Sequence, residues 1–226
     1  MKLSASVLYA GPFVLFVALL PLQQMLPWPP LWLNAGYVAI MLVVLAAVWR
    51  RIPDLQFDKL RVASWFGSAA IGVIVFVAWV APDRLFPGYR HSVLFENFLT
   101  GSMTAGLPEA ARSEPLVLWL RAFRAVIIVP IVEELFWRAW MMRWIIEPGF
   151  LSIPLGAWSA RAFWIVAFLF AAEHGAMWDA GLFAGVLYNV WMVRTKSLGD
   201  LILTHAISNA CLSIYVVAAG RWEYWS

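Results

Sequence analysis

Apolar residues in this chain fall in long, nearly unbroken runs, and most charged residues are gathered between them. Seven runs stand out, near residues 8–26, 31–49, 64–82, 115–146, 156–173, 179–193 and 198–219. A helix needs about 20 residues to cross ~30 Å of hydrocarbon. Most of the runs have that length, and the sixth is short for a full crossing. The pattern predicts an all-α fold, a polytopic transmembrane helix bundle of about seven to eight membrane helices. No internal repeat or low-complexity segment interrupts it, so residues 1–226 read as a single integral membrane domain.

Composition supports this reading, because 63% hydrophobic residues with 13% charged is not the make-up of a water-soluble chain. Several of the 15 tryptophans, among them Trp28, Trp32, Trp49, Trp79, Trp222 and Trp225, stand near run ends, as in the aromatic belts at headgroup depth. The net charge of +3 suggests no nucleic-acid partner, since the basic residues sit in short loops and helix ends where they orient the chain in a bilayer. Arg50, Arg51, Lys59 and Arg61 mark one loop as cytoplasmic, and Arg194 and Lys196 agree. With Lys2 on the same side, the expected topology is N-terminus in and C-terminus out. The apolar N-terminus is not read as a signal peptide: no small-x-small site follows it, and Pro12 and Pro21 interrupt it. The longest polar stretch, 83–114, is punctuated by Pro87, Gly88, Gly101, Gly106 and Pro108 and reads as a solvated connection with a short interfacial helix. The single cysteine, Cys211, excludes an internal disulfide.

Ionisable groups within spans cost roughly 2.5–3.5 kcal/mol each and call for a partner or a function. The fourth run holds most of them. It contains Glu133-Glu134-Leu135-Phe136-Trp137-Arg138, in which Glu134 and Arg138 lie one turn apart and can pair. Glu133 points about 100° away, free to face a cavity as a general base. Pro130 is expected to bend this helix and free a carbonyl near the glutamates. The fifth run ends in Phe170-Ala171-Ala172-Glu173-His174, and the seventh carries His205-Ala206-Ile207-Ser208-Asn209. His205 and Asn209, one turn apart, can direct two donors to one point, as an oxyanion requires. Taken singly, each group is as readily an ion pair or an interhelical hydrogen bond.

The order Glu-Glu-x-x-x-Arg, Phe-x-x-x-His and His-x-x-x-Asn over residues 115–215, with Gly185, Leu187, Tyr188 and Arg194-Thr195-Lys196-Ser197-Leu198 between the last two motifs, resembles the CAAX prenyl protease 2-like (CPBP) family. A branch associated with exosortase and sorting tails is similar in size. The resemblance implies a glutamate-dependent intramembrane endopeptidase of a prokaryotic cell membrane, its catalytic core about 115–215 and its N-terminal helices, about 8–82, accessory. It implies that Glu133 and His174 activate water, that His205 and Asn209 hold the oxyanion, and that Glu134 and Arg138 support them. Ala139 stands where many bacterial members have glycine. The implied partners are the lipid bilayer and a membrane-tethered or lipidated protein or peptide; the oligomeric state is left open.

Two other readings use the same residues. Glutamates and histidines are also the ligand types of a zinc metalloprotease. Neither histidine has His-Glu-x-x-His spacing, and asparagine is a poor zinc ligand, so no metal and no cofactor are expected. A non-enzymatic immunity or transport protein would also tolerate such charges, although transporters often show duplicated halves, which are not seen here.

Overall fold

The computed structural model describes residues 3–56 and 59–225; Lys2, used above for orientation, and Phe57 and Asp58 lie outside the described residues. Seven helices are present among the described residues, which form no strand: α1 (Ala5–Met25), α2 (Pro30–Trp49), α3 (Trp65–Leu85), α4 (Pro115–Ile146), α5 (Ala160–Ala172), α6 (Trp178–Thr195) and α7 (Leu198–Ala219). Five of them, α1 to α4 and α7, are long and apolar enough to cross a membrane. The protein is an all-α, multi-pass integral membrane protein. Large apolar side chains such as Val43, Val77, Phe168 and Ile214 point out of the bundle. Exposed to water this would be untenable, but facing acyl chains it is the expected outside of the fold.

Local chemistry explains the helix ends. Ser4, Ser159 and Ser197 each accept a backbone N–H of the first turn through their hydroxyls, leading into α1, α5 and α7. Prolines open α2 and α4 at a position where the missing N–H costs nothing. Gly220, with φ 65°, ends α7 in the left-handed conformation.

Polar knots hold the two ends of the bundle. At one end lie the basic loop after α2 and the α6–α7 junction. Buried Asp200 accepts from the backbone of Ala63 (3.0 Å) and Ser64 (2.8 Å) and from the Ser68 hydroxyl (3.2 Å), clamping the start of α3 to α7. Asp54, in the same loop, receives the Tyr9 hydroxyl and the Arg143 guanidinium. The residues read as cytoplasmic therefore share one end. At the opposite end Arg90 bridges Asp83 and Asp179, and the Tyr224 hydroxyl donates to Asp83 at 2.9 Å. Between these ends α3 and α7 pack closely; a Cβ on Gly72 would lie 2.6 Å from the Thr204 carbonyl oxygen.

Helix α4 is the centre of the core, its buried Ile128, Val132, Phe136 and Met142 packing with residues of every other helix. At 32 residues it is about 48 Å long. It is not uniformly α-helical. The Val129 N–H reaches the Arg124 carbonyl five residues back, and the Met142 N–H reaches Trp137 in the same way. Such wide turns are frequent at functional sites, and these two bracket Glu133 and Glu134.

Candidate active site

Glu133 from α4, His174 from the turn after α5, and His205 and Asn209 from α7 line one cavity of about 90 Å³, room for several water molecules. The motifs, 71 or fewer residues apart in sequence for the most distant hydrogen-bonded pair among them, meet because α4 lies between α5 and α7. The Glu133 side chain is buried, and its Oε2 has no hydrogen-bond partner among the described residues. His205 Nε2 lies 4.0 Å from this oxygen.

His174 follows the end of α5, where the chain turns through 175–177 into α6. Its Nδ1 lies 2.6 Å from the Phe170 carbonyl oxygen. A carbonyl only accepts, so Nδ1 carries the proton and Nε2 of the neutral ring holds the lone pair. The ring rests between Trp79 and Phe170, with centroids at 5.1 and 4.7 Å. Gly181 permits this placement: a Cβ there would lie 3.0 Å from His174 Nδ1.

A hydrogen-bond relay supports the other side of the cavity. Asn189 donates to the Phe163 carbonyl at 2.8 Å and accepts from Arg138 Nε at 2.9 Å. Arg138 donates through Nη1 to both oxygens of Glu134, at 3.2 and 3.1 Å, and lies over the Phe170 ring. Glu134 in turn accepts from His205 Nδ1 at 2.7 Å. Glu134 and Arg138 are fully buried, so this network is satisfied without water. Ala139 is buried in the cluster containing Tyr9 and Phe150.

His205 and Asn209 do not offer two free donors. His205 Nδ1 is taken by Glu134, leaving Nε2 toward the cavity. Asn209 Nδ2 donates at 2.7 Å to the Ala125 carbonyl. That carbonyl stands five residues before Pro130, in the stretch where α4 bonds with five-residue spacing, and Pro130 has no N–H to give it. The backbone group freed by proline, expected from the sequence, is thus held by Asn209, whose second amide N–H is still available.

Some contributors escaped sequence reasoning. Asn189, one amide within the sixth apolar run, carried the same signal as Asn209 but belonged to no recognised motif. Glu173, which accepts from Trp137 Nε1 at 3.1 Å, passed as a neighbour of His174. Glu173 and Arg124 line a wider cavity of about 310 Å³ that shares Glu133, His174 and Asn209 with the first and is walled on its far side by Phe13 and Phe16 of α1. Among the described residues no three of His, Cys, Asp and Glu are grouped as metal ligands.

Fold and site together define a multi-pass membrane protein with an acid, imidazole and amide cavity inside its helix bundle. Residues 115–211, which contain all of these motifs, match the family model for type II CAAX prenyl endopeptidase Rce1-like proteins, in line with the resemblance to the CPBP family. That family is one of proteases, and the match supports, in general terms, a CAAX-type membrane endopeptidase. No curated protein and no solved structure matches the chain.

Proposed function

We propose that the protein hydrolyses a peptide bond in a membrane-tethered or lipidated protein, using water activated by Glu133 and His174. One observation carries this reading: Glu133, whose buried Oε2 has no hydrogen-bond partner among the described residues, shares a water-sized cavity with His174, His205 and Asn209. Glu133 removes a proton from water while His174 Nε2 accepts the other O–H and orients it. The hydroxide oxygen bonds to the scissile carbonyl carbon, and the carbonyl π electrons move to oxygen. When the C–N bond breaks, Glu133 returns the proton to the departing amine, so atoms and charge balance.

The oxyanion lies against the second N–H of Asn209 and Nε2 of His205. In its doubly protonated form His205 donates from Nε2, with Glu134 as its counter-charge. Arg138 and Asn189 act through Glu134 as positioning residues. The wider cavity, bounded by apolar α1 side chains, suits entry of a chain already held in the bilayer.

The test is co-production with a membrane-anchored substrate. Cleavage should be lost in Glu133→Ala while the variant accumulates normally and keeps its helical spectrum. Continued cleavage by that variant would return the protein to the non-enzymatic reading. Activity should also persist in chelator; inactivation by chelator with zinc bound stoichiometrically would favour a metalloprotease instead.

A further inference from the structure

The connection between α3 and α4 does not behave as a solvated loop. Around its tight turn, Val93, Phe98 and Leu99 are 84%, 99% and 89% exposed, and Leu94 is largely exposed beside them. Large apolar side chains presented this fully on a short turn mark a contact surface.

The turn's backbone, by contrast, is occupied. Every backbone N–H from Phe95 to Gly101 except that of Phe98 has an acceptor within the turn. The Asn97 side chain alone accepts from Leu99 and Thr100 and donates to the Val93 carbonyl. The Thr100 hydroxyl donates to Phe95, and the Trp178 indole N–H donates to Leu94 at 3.1 Å. Water is not needed to satisfy these groups, which is the condition irregular backbone must meet at membrane depth. The Phe98 N–H and the carbonyls of Glu96, Phe98, Leu99 and Thr100 have no such partner among the described residues, which limits the turn to the boundary between headgroups and acyl chains, where water still reaches.

Its position agrees. Phe95 stacks on Trp178 at 5.7 Å, and Arg90, 1% exposed, ties the loop to Asp83 and Asp179. Trp178 opens α6, 16 residues before Arg194 at the basic end of the bundle. That is about 24 Å of helix, several ångströms short of a ~30 Å core. The loop therefore packs beside a helix end that has not left the bilayer, and Leu85 and Phe86 at the end of α3 are likewise exposed.

We propose that the 93–99 turn is a membrane anchor, inserting Val93, Leu94, Phe98 and Leu99 into the headgroup–acyl boundary of the bilayer. The polar pair His91 and Glu96, 3.0 Å apart, stays on its aqueous side. This inference is independent of the proteolytic mechanism. Because a Cβ at Gly175, next to His174, would lie 2.7 Å from the Thr100 carbonyl, the anchor also fixes the turn that carries His174.

The test uses Phe98→Cys and Leu99→Cys, each with Cys211→Ser, labelled with a nitroxide and reconstituted in palmitoyl-oleoyl-phosphatidylcholine vesicles. A label at His91→Cys serves as the aqueous reference. Relaxation by oxygen relative to a nickel chelate should be several-fold higher at 98 and 99 than at 91. Equal ratios at the three positions would overturn the proposal and return the patch to a protein partner, whether substrate or a second copy.

Discussion

Asn209 is assigned two duties, and they can be separated by mutation. Asn209→Ala removes the donor to the Ala125 carbonyl, which Pro130 leaves without a backbone partner. An unsatisfied buried acceptor costs about 1–3 kcal/mol, which is the upper range for this part-buried carbonyl. The same substitution removes the proposed oxyanion donor, worth about 2.7–4 kcal/mol of transition-state stabilisation or roughly 10²–10³ in turnover. In Pro130→Ala the new N–H lies five residues from Ala125 and can take over the carbonyl. Asn209→Ala should then cost well under 1 kcal/mol in stability, while the turnover deficit persists undiminished. Reversible unfolding in mixed micelles containing sodium dodecyl sulfate, followed by far-UV circular dichroism, measures the first quantity. Cleavage of a co-reconstituted membrane-anchored substrate measures the second. A stability cost equal in the two backgrounds, within about 0.5 kcal/mol, would show that the carbonyl of Ala125 does not depend on Asn209. Turnover restored by Pro130→Ala would remove Asn209 from the oxyanion site.

Three further outcomes are expected. Arg138→Met deprives buried Glu134 of its guanidinium partner and should destabilise by about 3–5 kcal/mol; Glu134→Gln with Arg138→Met should recover part of this in the same unfolding assay, and a loss below about 1 kcal/mol for the single variant would refute the relay. Gly181→Ala places a methyl against His174 Nδ1 and should lower kcat by up to about 100-fold with helical content unchanged; unchanged kcat would mean that the ring position is not critical. Cys211→Ser should be silent in both assays, since Cys211 is absent from the linings of both cavities; a large loss of cleavage would reopen a thiol mechanism.

Much of this protein was legible along the chain because the bilayer simplifies the code. With lipid as solvent, apolar runs must be helices whose backbone is satisfied internally, so the seven runs coincide closely with α1 to α7. The motif residues could also be named, since polar groups in such runs stand out against their surroundings and their i,i+4 spacing puts Glu134 against Arg138 without further information. The freed carbonyl before Pro130 followed from the imino acid alone.

What lies between helices was not legible. That Asn209 covers Ala125, that His205 turns Nδ1 to Glu134 and only Nε2 to the cavity, and that Asn189 completes the relay depend on how α4, α6 and α7 rotate against one another. Linear spacing carries no information about those rotations. The 83–114 segment reads as solvated from its charges and glycines, and the sequence could not show that Arg90 is buried between Asp83 and Asp179 or that the turn carries its apolar side outward. Sequence by itself determined which residues enter the membrane and which of them are chemically conspicuous. Tertiary packing decided which donor meets which acceptor, because hydrogen bonds are set by distances of about 3 Å between groups that the chain holds tens of residues apart.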